Sequence, residues 1–142
     1  MIDPHVHLRD GKERHKETIE HGLRVAQKLG LSGVFDMPNT DPPILRRADV
    51  LGRLDLAKKA GGDVFYGLYC GLTADPEQVR EAVACVRDLK EVVGLKLYAG
   101  SSTGDLSVPD TASRETIFQT LTNCDYRGVL AVHCEEESDF RP

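Results

Sequence analysis

Near the start of the chain, His5 and His7 are separated by one residue, and Arg9 follows at the same interval. Residues two apart in an extended strand project to one side, so the pair can present two imidazoles to a single metal ion. A bare H-x-H is a weak signal, more often a surface or core coincidence than a metal site. It gains weight from His133, which closes the apolar run from Val129 to Val132. Taken alone, His133 is as readily a satisfied core histidine as a ligand. Three imidazoles together are the set that zinc prefers. Lys96 sits in Gly94-Leu95-Lys96-Leu97-Tyr98, where an unpaired ammonium is costly to bury. Either its stem packs while its head reaches a rim, or burial lowers its pKa. In the second case the free amine can add carbon dioxide and become a carbamate able to bridge two metal ions.

Arg9 and Asn39 form a second pair, a guanidinium fork and an amide that can grip a substrate carboxylate. Asn39 also reads as a plain turn residue beside Pro38, Pro42 and Pro43. Asp3 and Asp36 suit orienting or hydrogen-bonding roles better than reacting ones, and His15 and His21 read as solvated. The segment Gly100-Ser101-Ser102-Thr103-Gly104 has a phosphate loop's composition without its spacing and reads as a loop.

Something must position these groups, and the hydrophobic period supplies it by switching between short apolar runs and helical stripes. Strands are expected at Ile2–Leu8, Gly33–Met37, Val64–Leu68, Val93–Tyr98 and Val129–His133. Between them, Ile19, Leu23, Ala26 and Leu29 share one helical face, with Gly30 as its C-cap. Val50, Leu51, Leu54 and Ala57 share another. Asp75 and Pro76 open a third helix, and a fourth runs from about Ser113, its candidate cap, to Thr122. This β-α alternation predicts a parallel sheet with right-handed crossovers, either an open doubly wound sheet or a (βα)8 barrel cut short. His7, Arg9, Asn39, Lys96 and His133 all fall at the C-terminal ends of strands, where such folds place active sites.

A chain of 142 residues is long enough for one domain with a real core, and residues 1–142 read as a single domain. Its net charge of −5, with Lys and Arg scattered among the acids, offers no basic stripe for nucleic acid or anionic membrane. Cys70, Cys85, Cys124 and Cys134 match no zinc or redox spacing and read as free thiols. Neither a signal peptide nor a membrane span is indicated, so the cytoplasm is the expected compartment.

Taken in order, Ile2-Asp3-Pro4-His5-Val6-His7-Leu8-Arg9-Asp10, Met37-Pro38-Asn39-Thr40, Gly94-Leu95-Lys96-Leu97-Tyr98 and His133-Cys134-Glu135 resemble the dihydroorotases of the amidohydrolase superfamily. The resemblance covers the whole chain. Hydantoinases and allantoinases share the H-x-H, whereas Arg9 and the M-P-N-T segment favour dihydroorotase, whose substrate carries a carboxylate. The resemblance implies a (βα)8 TIM barrel, here truncated to strands one to five. It further implies a zinc-dependent, reversible hydrolysis of dihydroorotate to N-carbamoyl-L-aspartate in pyrimidine biosynthesis. On this pattern His5 and His7 bind one Zn2+, His133 binds the other, and Lys96 bridges the two as its carbamate. Arg9 and Asn39 hold the substrate carboxylate. The pattern also includes a histidine from strand six and a general acid/base aspartate from strand eight, neither of them in this sequence, so no catalytic acid or base is assigned here. A chain ending after strand five, with no helix to cover it, is expected to leave an apolar edge open and to self-associate as a homo-oligomer. A companion aspartate transcarbamoylase is a separate partner that the resemblance suggests. Two other readings are a half-barrel with no catalysis of its own and a hydantoinase- or allantoinase-type cyclic amidohydrolase, against which Arg9 and Asn39 argue.

Overall fold

The computed structural model describes residues 1–100 and 106–135; most of the Gly100–Gly104 loop and the tail after Glu135 lie outside the described residues. Five strands alternate with four helices: β1 (Ile2–Val6), α1 (Ile19–Lys28), β2 (Gly33–Asp36), α2 (Arg47–Ala60), β3 (Phe65–Gly71), α3 (Pro76–Asp88), β4 (Val92–Tyr98), α4 (Thr111–Asn123) and β5 (Leu130–His133). The strands pair in chain order, each parallel to the next, in one curled sheet that makes half a barrel.

The period of two sorts the side chains onto two faces. Val34, Tyr66, Leu68, Cys70, Leu95 and Leu97 point outward and form one core with Leu23, Val50, Val79, Val83 and Ile117 of the four helices. The alternate positions, among them His5, Phe35, Tyr69, Lys96, Tyr98 and His133, point to the inner face. Inward glycines let the strands close up. A Cβ on Gly94 would stand 2.7 Å from the Val129 carbonyl oxygen, so a side chain there would push β5 off β4.

The helix ends follow from their caps. Thr18 accepts the His21 N–H at 3.1 Å, and Asp75 accepts that of Glu77 at 2.9 Å with Pro76 at the first helical position. Gly30, at φ 71°, terminates α1 in the left-handed conformation that favours glycine.

Several boundaries and faces differ from the sequence-based expectation. β1 leaves the ladder after Val6 rather than Leu8, because the Leu8 N–H turns to the Asp36 carboxylate at 2.8 Å. β3 runs three residues past Leu68, since after a register shift Tyr69, Cys70 and Gly71 go on pairing with Gly94, Leu95 and Lys96 of β4. The cap of α4 is Asp110, which accepts the Ser113 N–H at 2.7 Å, so Ser113 lies inside the helix. Leu29 and Leu51 do not share the buried faces, being 72% and 48% exposed; Arg53 takes the inward place on α2 instead. At the sheet's two sides Ile2, Val129 and Val132 are exposed. No helix among the described residues is long and apolar enough to cross a membrane.

Candidate functional site

The inner face gathers its polar groups at the C-terminal end of the sheet. On β1 and just beyond it, the His5 and His7 rings lie 5.3 Å apart between centroids. Asp3 accepts the backbone N–H of His5 at 3.1 Å. Burial lowers the His5 pKa, Lys96 and His133 lower it further, and Asp3 opposes them. His7 is lowered by burial first and then by Arg9 and His5, against an upward pull from Asn39. Both imidazoles are thereby held in the neutral form that ligates metal.

Lys96 is 3% exposed. Its Nζ stands 5.1 Å from the centroid of the Tyr98 ring, two residues along on the same face, and among the described residues no carboxylate pairs with it. Burial lowers the lysine pKa. The rim reading of this residue therefore does not hold. His133 pairs in register with Tyr98, their ring centroids 5.9 Å apart, and its Nε2 lies 3.1 Å from a Glu135 carboxylate oxygen.

Arg9 and Asn39 meet. Nη1 of Arg9 donates to the Asn39 carbonyl and stands 3.6 Å from Glu13. Glu13 is itself tied to Lys16 at 2.6 Å, and that hydrogen bond holds its carboxyl below the usual range. Asn39 is buried, and its Oδ1 has no hydrogen-bond partner among the described residues; the buried Tyr98 hydroxyl has none either. A ligand-facing surface commonly leaves such groups for its ligand to satisfy.

Two neutral imidazoles beside a buried amine fit a metal ion in donor chemistry. Among the described residues, however, no three His, Cys, Asp or Glu side chains form a metal-holding group. The structure thus brings His5, His7, Lys96 and His133 to the inner face, with His133 close enough to lower the His5 pKa, and brings Arg9 to Asn39. His15 and His21 are exposed, with His21 Nδ1 on Glu17 at 2.8 Å.

Sequence reasoning missed Glu13, Tyr98 and Arg53. Tyr98 carried a signal, sharing the face of Lys96 at i+2. Arg53 carried one as well, an arginine inside the apolar stripe of Val50, Leu54 and Ala57. Glu13, in a short 3-10 turn, carried none.

No protein-family model matches the chain. A dihydroorotase of Thermococcus kodakarensis is 33% identical over 144 residues, spanning 99% of this chain and 30% of that protein. One of Pyrococcus abyssi is 52% identical over 107 residues, 75% of this chain and 23% of that protein. The Saccharomyces cerevisiae dihydroorotase in complex with 5-fluoroorotic acid superposes with a TM-score of 0.73 at 25% identity, covering 99% of this chain and 37% of that one. An L-hydantoinase (dihydropyrimidinase) from Arthrobacter aurescens shares the fold at a TM-score of 0.71 and 24% identity, over 96% of this chain and 29% of its own. The chain spans less than a third of the curated relatives named here.

Proposed function

Because the chain belongs to the dihydroorotase family of cyclic amidohydrolases, we propose that its inner face carries the β1-to-β5 share of a site that opens the ring of dihydroorotate to N-carbamoyl-L-aspartate and closes it in reverse. Lys96 is the observation that carries this reading. A lysine 3% exposed, without an acid partner among the described residues and with its pKa lowered by burial, is a destabilising choice unless its amine is used.

In this reading His5 and His7 would hold one Zn2+ and His133 a second, with Lys96, as its carbamate, completing the set. Zinc bound there supplies a Lewis acid for the scissile ring carbonyl. The chain's own side chains do the rest. Arg9 turns its remaining guanidinium N–H groups toward the substrate carboxylate, its Nη1 anchored on Asn39 and Glu13. Asn39 contributes an amide N–H to the same carboxylate. Burial of Tyr98 and Lys96 keeps bulk water from competing for the ring. The partner is accordingly a small anionic metabolite of pyrimidine biosynthesis, and the compartment is the cytoplasm.

The test is ring opening of dihydroorotate, followed by ultraviolet absorbance beside hydantoin and allantoin, with Zn2+ and bicarbonate supplied. Dihydroorotate turnover by the sequence extended through strand eight, abolished by Lys96→Ala and absent from residues 1–142 alone, is the expected result. Turnover of hydantoin or allantoin in its place overturns the substrate assignment. Zn2+ binding without turnover of any of the three, even by the extended sequence, would make the chain a non-catalytic half-barrel.

A further inference from the structure

Behind the site, on the helix side of the sheet, lies a buried charge cluster that the proposed chemistry does not use. Asp36, at the end of β2, is fully buried. Its carboxylate accepts the Leu8 N–H at 2.8 Å, the Tyr66 hydroxyl of β3 at 2.8 Å, and Nη2 of Arg53 from α2. Arg53 does more than neutralise it. Nη2 also donates to the Leu8 carbonyl, and Nη1 to the Arg9 carbonyl at 2.8 Å. Burial pushes the Asp36 carboxyl up, against the opposing pull of Arg53, the Leu8 amide and Tyr66.

The backbone these groups grip is the stretch where β1 has left the sheet. The last bond of the ladder is from the Met37 N–H to the Val6 carbonyl at 2.9 Å. Beyond it, among the described residues, the Leu8 N–H, the Leu8 C=O and the Arg9 C=O bond to side chains alone. His7 is thus held between a ladder-fixed Val6 and a side-chain-fixed Leu8, and Arg9 leaves the backbone one residue later.

Resting on the role proposed above for His7 and Arg9, we propose that Arg53 is their positioning residue, a guanidinium clamp that bridges Asp36 to two consecutive carbonyls and sets how the end of β1 presents both side chains. Only a planar fork spans the two carbonyls and the carboxylate together, so lysine cannot replace it although it keeps the charge.

The experiment uses Arg53→Lys in the 142-residue chain, with Arg46→Lys, at the surface end of the same helix, as control. Two readouts are taken: residue-resolved amide hydrogen exchange without metal, and Zn2+ affinity by calorimetry. Arg53→Lys should raise exchange at Leu8 while the β2 amides of Val34 and Phe35 keep their protection, and should weaken Zn2+ roughly 10- to 100-fold, as loss of a group orienting a ligand does. Leu8 protection equal to that of the unaltered chain overturns the clamp, and so does a uniform rise across the sheet, which marks a merely structural role. If the unaltered chain binds no Zn2+, the metal reading fails on its own, and the local exchange difference still decides the clamp. Should Arg53→Lys not fold, the double variant Asp36→Asn, Arg53→Met removes both charges together and leaves neither buried alone. The same local loss at Leu8 is expected there, and its absence overturns the proposal.

Discussion

Replacing Lys96 by methionine should make the protein more stable. The side chain is 3% exposed, its Nζ faces the Tyr98 ring, and no carboxylate among the described residues compensates the charge. Methionine keeps the packed stem and removes the charge. Exchanging buried ionic groups for apolar ones of similar volume stabilises by about 1–4 kcal/mol. A single charge near the C-terminal end of a strand belongs in the lower part of that range, so the gain should be ~1–2 kcal/mol. For a chain of this size that is a rise in Tm of roughly 3–7 °C. The sign with pH follows from linkage. Folding lowers the lysine pKa, so the unfolded chain binds more protons, and the native protein gains stability as pH climbs from the folded value toward the unfolded one, near ~10.4. Thermal melts of both proteins in bicarbonate-free buffer, at pH 7 and at higher pH, should therefore show a gap that narrows with alkalinity. A variant less stable at pH 7, or a gap indifferent to pH, would refute the account of Lys96 as an uncompensated buried amine.

Asp36→Ala strands Arg53 as an unpaired buried charge and should cost about 3–5 kcal/mol in urea unfolding; a loss below ~1 kcal/mol would mean that the cluster is not desolvated. Tyr98→Phe removes a buried hydroxyl that has no partner among the described residues and should leave the unliganded protein as stable or more stable, by up to ~1 kcal/mol; a clear loss would show a hidden partner. His5 and His7 both have lowered pKa values, so the stability they contribute is present above ~6.5, the unfolded value, and is lost as pH falls through their lower folded values. The urea midpoint should drop between pH 7.5 and 5.5, less so in the His5→Ala, His7→Ala double variant, and an equal drop in both proteins would assign the effect elsewhere.

Much of this was legible in the residues. The five strands and four helices follow from hydrophobic period, and α3 begins where Asp75 and Pro76 say it should. Outward positions such as Leu68, Leu95 and Leu97 form one core because alternation in a strand admits no other sorting. The pairing of Arg9 with Asn39, 30 residues apart, was legible only as a shared chemistry; the parallel pairing of β1 with β2 turns it into a contact. What the period cannot reveal is a side chain that bonds to backbone across elements. Arg53 interrupts an apolar stripe, and nothing local to α2 says that two carbonyls beyond β1 need donors. The end of β1 was misplaced for the same reason: Leu8 continues the apolar pattern, and only the Asp36 carboxylate takes its N–H out of the ladder.

The distribution of unsatisfied groups ties the fold to the site. Among the described residues four buried polar atoms lack a hydrogen-bond partner: Oε2 of Glu13, Oδ1 of Asn39, Nε of Arg53 and the hydroxyl of Tyr98. They are not scattered. Glu13 faces the Arg9 guanidinium at 3.6 Å, the backbone carbonyl of Asn39 accepts from it, and Arg53 donates to the Arg9 carbonyl. Tyr98 is close enough for both Arg9 and Asn39 to pull its pKa downward, although burial raises it overall. Buried polar groups are nearly always paired because an unpaired one costs ~1–3 kcal/mol. Their concentration around one residue therefore marks the place where the sheet forgoes its own stability. Arg9 is held there from both sides, by Asn39 and Glu13 at its fork and by Arg53 at its backbone. A guanidinium so firmly placed suits the role proposed for it, a fork held ready for a substrate carboxylate.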